Sequence, residues 1–264
     1  LNDTFAPSWV LRLFRLVAPL ASGFIFASHR SQTYYGSLIR GAQPQVVVPA
    51  TVDTSMFDPS LEFAPDPDMP TNGQVIGTVA NINPIKGLET LIHAAARLRA
   101  LGDALHVVIV GPIYGRQRGY YQHLLALAAE LGLNGLHFIG ARSDVRPVLK
   151  QLDVYICCST AESSPLAVWE AMAMACPVVS TDVGDVAYHV RDGEAGCIVP
   201  VGDDVAMANH VAKLLRDPDQ RARMGSVARA AAKAFRPQEV ARLTLDIYKR
   251  VTSSCMQNEI QRDA

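Results

Sequence analysis

Residues 153–181 read DVYICCSTAESSPLAVWEAMAMACPVVST. The first six residues form a near-continuous apolar run, as expected of a strand buried on both faces of a parallel sheet. Residues 165–174 carry helix formers with a proline at the first position, and 177–180 (PVVS) is β-rich again. The same alternation extends in both directions. Further strands are expected at 74–80 (QVIGTVA), 105–110 (LHVVIV), 136–139 (LHFI) and 196–199 (GCIV). Helices are expected at 87–101, where Leu88, Leu91, Ile92, Ala95 and Leu98 recur at helical spacing, and at 120–131, 144–151 and 204–216. Strand–helix–strand alternation with apolar strands predicts an α/β fold, a doubly wound parallel sheet covered by helices on both faces.

The first 57 residues stand apart, with a helical stretch near 8–20, a strand at 23–28, a helix near 31–40 and a strand at 45–49. Residues 58–73, DPSLEFAPDPDMPTNG, hold four prolines and no hydrophobic period, the composition of a hinge. The expected organisation is therefore the end of an N-terminal α/β domain (1–57), a hinge (58–73), a complete C-terminal α/β domain (74–236), and a C-terminal helix over 237–253 with a frayed tail over 254–264. The chain opens on Leu1, which suits a processed or partial product.

Apolar residues make up 49% of the 264 and charged residues 19%, enough to build a core and too apolar for disorder. Twenty-four basic against 25 acidic residues leave a net charge of −1, without the basic excess of a nucleic-acid binder. The five cysteines show no metal-ligand spacing, and Cys157 and Cys158 read as reduced core residues of a cytoplasmic protein. The longest charge-free stretch, between Arg15 and Arg30, contains Pro19, Gly23 and His29 and does not read as a bilayer span. Trp9, Leu13 and Leu16, interleaved with Arg12 and Arg15, have two readings: packing on a sheet, which is favoured, or peripheral contact with the inner face of a membrane.

In open parallel sheets ligands sit at the carboxyl ends of the strands, and three such junctions stand out. In Asn81-Ile-Asn-Pro-Ile-Lys86-Gly87, Asn83 suits an N-cap and Pro84 the first helical position. That puts Lys86 in a first turn where the helix dipole disfavours a cation, and leaves two readings: a solvated lysine at a small cost, or a lysine whose charge a bound anion shares. In Glu162-Ser163-Ser164-Pro165-Leu166-Ala-Val-Trp-Glu170, Ser164 reads as an N-cap and Pro165 as the first helical residue. Glu162 in the loop and Glu170 on the second turn would flank one cleft, and a half-buried Glu170 needs a hydroxyl or cation partner. In Gly111-Pro-Ile-Tyr-Gly115-Arg116, Gly111 permits close backbone approach, but no dinucleotide fingerprint or P-loop is present. Asp66-Pro-Asp68, in the linker, and Asp217-Pro-Asp219, between helices, read as turns rather than metal sites.

Taken together, the stretches VVVPATVDTSMFDP (46–59), ANINPIKGLETLIHAA (80–95), LHVVIVGP (105–112), 136–185 and DGEAGCIVPVGD (192–203) resemble the retaining, nucleotide-sugar-dependent glycosyltransferases of the group that includes glycosyltransferase family four. The resemblance covers nearly all of 45–250 and implies a GT-B fold, with two Rossmann-like domains facing a cleft and the donor held mainly by the C-terminal one. It implies that Lys86 contacts the donor diphosphate, that Glu170 binds the ribose and that Glu162 lies against the transferred sugar, making Lys86 and Glu162 the catalytic candidates. Amides around Ser164 and Leu166 would hold sugar and phosphate, with Asn81, Gly111, Ser163 and Pro165 also lining the donor site, and Gly140-Ala-Arg142 would lie near the base.

The resemblance further implies a nucleotide-diphosphate sugar and a glycan, lipid or small-molecule acceptor as partners, with no metal cofactor. This sequence departs from the pattern at Asn81, where many members carry a second diphosphate-binding arginine, at Ser163 and Ala175 in place of glycines, and at Tyr188 in place of a glutamate. The family's N-terminal glycine-rich loop and catalytic histidine are expected upstream of Leu1. Alternatives are a non-catalytic nucleotide-sugar-binding subunit and a GT-B nucleotide-sugar epimerase.

Overall fold

The computed structural model describes residues 7–98 and 105–262, with 254–262 as backbone alone. The chain divides into two compact units, one built from residues up to Thr51 together with those from Ala234 onward, the other from Val52–Lys233.

In the first unit, helix α1 (Ser8–Val17) and a 3₁₀ turn (Ala18–Leu20) lead into strand β1 (Phe24–Phe26), helix α2 (His29–Gly36) and strand β2 (Gln45–Val47). β1 and β2 pair in parallel, Phe24 opposite Gln45. Ser28 starts α2, its Oγ accepting from the Ser31 amide at 3.0 Å. α1 makes its aromatic contacts through Phe14, which lies edge-on to Phe24 and Tyr35. Trp9, Leu13 and Leu16 keep 66%, 50% and 74% of their surface exposed, so the favoured expectation that this stripe packs on a sheet is not met. No helix among the described residues is long and apolar enough to cross a membrane.

The second unit carries the predicted alternation. Its strands are β3 (Gln74–Val79), β4 (Leu105–Val110), β5 (Leu136–Gly140), β6 (Val154–Cys157), β7 (Val178–Thr181) and β8 (Gly196–Val199). Its helices are α3 (Leu88–Arg97), α4 (Arg118–Glu130), α5 (Arg146–Gln151), α6 (Leu166–Ala173), α7 (Val186–His189), α8 (Asp204–Arg216) and α9 (Pro218–Ala232). All six strands are parallel, in the order β5-β4-β3-β6-β7-β8. Crossovers leaving β3 step outward one way and those leaving β6 the other, so a uniform crossover hand puts α3 and α4 on the opposite face from α6. The periodic residues of α3 (Leu88, Leu91, Ile92, Ala95 and Leu98) are all buried against the sheet, as the spacing predicts. Each leucine or isoleucine so buried contributes roughly 1.5–3 kcal/mol. Residues 99–101 of that expected helix lie outside the described residues.

Several boundaries differ from expectation. Asp217-Pro-Asp219 opens α9: Asp217 Oδ1 accepts from the Gln220 amide at 2.8 Å and Pro218 occupies the first helical position. The C-terminal helix α10 (Pro237–Arg262) packs against β2 and continues as backbone through most of the tail expected to fray. Cys157 and Cys158 are free and buried, as expected, as are Cys176 and Cys197, and burial pushes the Cys176 thiol up to about 12; the Cys255 side chain lies outside the described residues.

The Pro-rich stretch is fastened to the second unit. Phe63 lies beneath Arg146 (5.1 Å) and Lys150 (5.6 Å), Lys150 Nζ donates to the Leu61 carbonyl at 2.7 Å, and Met69 is buried. Arg229 Nη2 pairs with Asp58 Oδ2 at 2.7 Å. The absent hydrophobic period reflects anchoring by single side chains rather than by a regular face.

α6 ends in a Schellman motif. The Cys176 amide donates to the Ala171 carbonyl and the Ala175 amide to the Met172 carbonyl, both at 3.0 Å, which forces Ala175 to φ +56°. A Cβ in this left-handed region costs roughly 1–2 kcal/mol, partly offset by the lower entropy of an unfolded alanine. Ala175→Gly is therefore expected to stabilise the protein by about 1 kcal/mol and raise its melting temperature by about 2–4 °C; an unchanged or lower melting temperature would remove the strain argument.

Candidate functional site

β3 and β6 are neighbours in the sheet but not in sequence, Ile76 pairing with Val154 and Gly77 with Tyr155. Strand order reverses between them, so the crossovers leave their carboxyl ends in opposite directions and open a crevice there. The Thr160 amide donates to the Ile85 carbonyl at 2.7 Å, and Thr160 Oγ1 to the same oxygen at 3.1 Å, holding the two loops edge to edge. Gly87, at φ +58°, lies so close to the Cys158 carbonyl that a Cβ would collide with it.

Asn83 Oδ1 caps the turn by accepting from the Ile85 amide at 3.0 Å, as predicted. The turn is a single 3₁₀ turn, Pro84–Lys86, separated from α3 by Gly87; Lys86 is thus not in the first turn of the long helix. From there its Nζ reaches Glu162 Oε1 at 2.5 Å, with 26% and 16% of the two side chains exposed. The Ser159 hydroxyl, on a residue only 3% exposed, donates to the same carboxylate oxygen at 2.8 Å.

These groups line a cleft of about 430 Å³ at the carboxyl ends of β3, β4 and β6. Asn81, Lys86, Gly111, Arg142, Glu162, Ser164, Pro165, Leu166 and Glu170, all expected from the sequence, face it. Ser163 does not: it is exposed, and its carbonyl accepts from the Asp185 amide at 3.2 Å. Gly111 fits its position because a Cβ would strike the Ala80 carbonyl, so its close approach is to the neighbouring strand end. α6 starts at Leu166, one residue later than expected, with Pro165 at the cap position. Ser164 thus lies one residue before the cap position, and its Oγ accepts from Trp169 Nε1 at 3.0 Å. The amides of Leu166 and Ala167 precede the helical ladder and border the cleft.

Glu170 sits on the second turn of α6, half buried. Burial pushes its carboxyl up to about 7, and no hydrogen-bond partner for it is found among the described residues. A carboxylate in this state gains most from hydroxyl donors brought by a ligand.

Arg142 lines the cleft, yet its guanidinium is committed elsewhere. Nε donates to Asp66 Oδ2 at 2.6 Å and Nη2 to Asp66 Oδ1 at 3.1 Å and Asp68 Oδ2 at 2.5 Å, while Nη1 donates to the Ile139 carbonyl. The hydrogen bond from Arg142 holds the Asp66 carboxyl below the ordinary range. Asp66-Pro-Asp68 thus serves as a clamp on the loop after β5. Sequence reasoning read it as a turn and passed over Ser159; the one signal for Ser159 was its place at the end of β6, three residues before Glu162.

Residues 61–231 match the family described as glycosyl transferases group 1. The chain belongs to that family. Within it, the chain is 34% identical over 188 residues to a D-inositol 3-phosphate glycosyltransferase of Salinispora tropica, covering 69% of this chain and 39% of that protein. It is 32% identical over 158 residues to the lipopolysaccharide core biosynthesis glycosyltransferase LpsE of Rhizobium meliloti, covering 60% of this chain and 44% of that protein. This group 1 chain therefore spans less than half the length of either relative. Among solved structures it resembles a glycosyltransferase from Rickettsia africae (TM-score 0.82, 20% identity, 94% of this chain and 68% of that one). It also resembles HepE of Anabaena in complex with UDP (TM-score 0.82, 24% identity, 96% of this chain and 70% of that one). These are GT-B glycosyltransferases, and the likeness supports the GT-B-like fold class expected from the sequence.

Asp66→Asn is expected to destabilise the protein by about 1–2 kcal/mol at neutral pH, as a charge-assisted pair is weakened. Because Asp66 titrates lower folded than unfolded, its contribution is complete above the unfolded value of about 4 and is lost as pH falls through the folded value. Melting temperatures of wild type and variant should converge below pH 4; a gap that persists in acid would show that the carboxylate charge is not what holds Arg142.

Proposed function

We propose that this group 1 chain supplies the donor-binding half of a glycosyltransferase that moves a sugar from a nucleotide diphosphate to an acceptor with retention of anomeric configuration. The observation that carries the reading is the convergence of Lys86, Glu162, Glu170 and the first amides of α6 on one cleft at the strand-order switch. Lys86 and the amides of Leu166 and Ala167 neutralise the charge that develops on the leaving diphosphate. Asn81 brings no charge, so that work rests on Lys86 and the helix end. Glu170 accepts ribose hydroxyls, Glu162 faces the transferred sugar, and the backbone of Gly140–Arg142 walls the base.

Retention is supported by the resemblance of the Glu162…Glu170 stretch to retaining members. The acceptor is a glycan, a lipid or a small molecule, a reading supported by relatives named for inositol phosphate and lipopolysaccharide core. The assignment includes no metal: Asp66 and Asp68 are engaged by Arg142 and Asp217 caps α9, leaving Lys86 and the helix end as the groups offered to a diphosphate.

Calorimetric titration with UDP, GDP and ADP tests the reading. One of them should bind, and Lys86→Ala should remove most of the preference for the diphosphate over its nucleoside. Glu170→Gln should cost roughly 1.5–3 kcal/mol through weaker ribose hydrogen bonds. Burial pushes the free Glu170 carboxyl up to about 7 and its ionised form accepts ribose hydroxyls, so wild-type affinity should rise from pH 6 to 8 and level off above. Glu170→Gln should lack that segment. Failure of all three nucleotides to bind, or identical pH profiles, would refute the donor-site assignment.

Metal dependence is checked separately. Binding should be the same with a chelator and with added Mg²⁺ or Mn²⁺; a requirement for the cation would reopen the role of Asp66 and Asp68.

A further inference from the structure

Two cations line the cleft, and both are already paired. Arg142 is held by two aspartates through three hydrogen bonds, whereas Lys86 is held by one oxygen of Glu162. The Lys86 pair is built into the fold: Asn83 caps the turn that carries the lysine, Thr160 ties the two loops together, and buried Ser159 fixes the glutamate. Among the described residues, the unliganded cleft thus offers a diphosphate no unpaired cationic side chain. Lys86 Nζ gives one of its three donors to Glu162, so a diphosphate that binds through Lys86 competes with Glu162 for the charge of the ammonium.

Resting on the donor-site reading above, we propose that Glu162 is a specificity-determining residue that opposes the spent nucleoside diphosphate in favour of the intact sugar nucleotide. When the intact donor binds, hydroxyls of its sugar donate to Glu162 and offset its weakened contact with the ammonium. The spent nucleotide has no such donors, so it weakens the ion pair without compensation, and restoration of the pair favours its release. Glu162 therefore acts as an internal competitor for Lys86.

The test uses UDP, GDP and ADP, their glucose conjugates and the bare nucleosides, titrated into wild type, Glu162→Gln and Glu162→Asp. Glutamine removes the charge; aspartate keeps it but withdraws it by one methylene from Lys86. The diphosphate that binds wild type should bind both variants about tenfold more tightly, the size of one charge-assisted hydrogen bond. Its nucleoside should be unaffected, and the glucose conjugate should gain less than the diphosphate. Should glutamine prevent folding, the aspartate variant alone carries the comparison. Unchanged or weaker diphosphate binding in the folded variants overturns the proposal, as does an equal gain for the conjugate. A gain with glutamine but none with aspartate also overturns it, because simple repulsion between Glu162 and phosphate then accounts for the effect. If no diphosphate binds wild type, the donor-site reading itself fails.

Discussion

Parallel pairing of β3 with β6, strands separated in sequence by two complete βα units, is the constraint on which the site depends. A hairpin would join the carboxyl end of one strand to the amino end of the next; here both carboxyl ends open on the same side with nothing between them. The backbone bond from Thr160 to Ile85 then sets the separation of the two loops. Given that spacing, Lys86 and Glu162 meet across the crevice, and α6 begins at its rim with its amides exposed to it.

The electrostatics of the cleft follow from unequal compensation. Arg142 and Asp66 satisfy each other with several hydrogen bonds, so they act as a fastening between the Pro-rich stretch and the loop after β5. Lys86 and Glu162 share a single contact in a site open on one side, a pairing that a ligand can exchange. Glu170 has neither arrangement: burial, with no partner among the described residues, disfavours its charge and leaves it receptive to donors from outside. Three acidic side chains in one region thus have three different states, each set by what the fold places beside them.

Much of this was legible in the chain. The apolar runs of the six strands and the 88–98 stripe identified the sheet and α3 because burial on both faces leaves no room for polar alternation. Asn83 was readable as a cap because the turn is local. Other features were harder to read. Asp217-Pro218 has the ordinary form of a helix start, but an Asp-Pro pair suits a turn equally well. Residues 58–73 lack a period because Phe63, Met69, Asp58 and Asp66 each find a separate partner on the domain. The exposed stripe of α1 shows the opposite failure: helical spacing identifies an apolar face, yet does not say what covers it.

The sequence by itself determined the α/β class, the strand ends at which polar residues interrupt apolar runs, and hence most of the side chains that line the cleft, since these depend on short-range pattern. Only the tertiary structure decided which of those side chains pair. Lys86 and Glu162, like Arg142 and Asp66, lie 76 residues apart, and nothing local distinguishes these matches from other cation–carboxylate combinations. Strand order and register bring them within hydrogen-bonding distance. The same packing decides the ionisation of Glu170, because a carboxyl's charge is set by the surrounding dielectric and donors rather than by its neighbours in sequence.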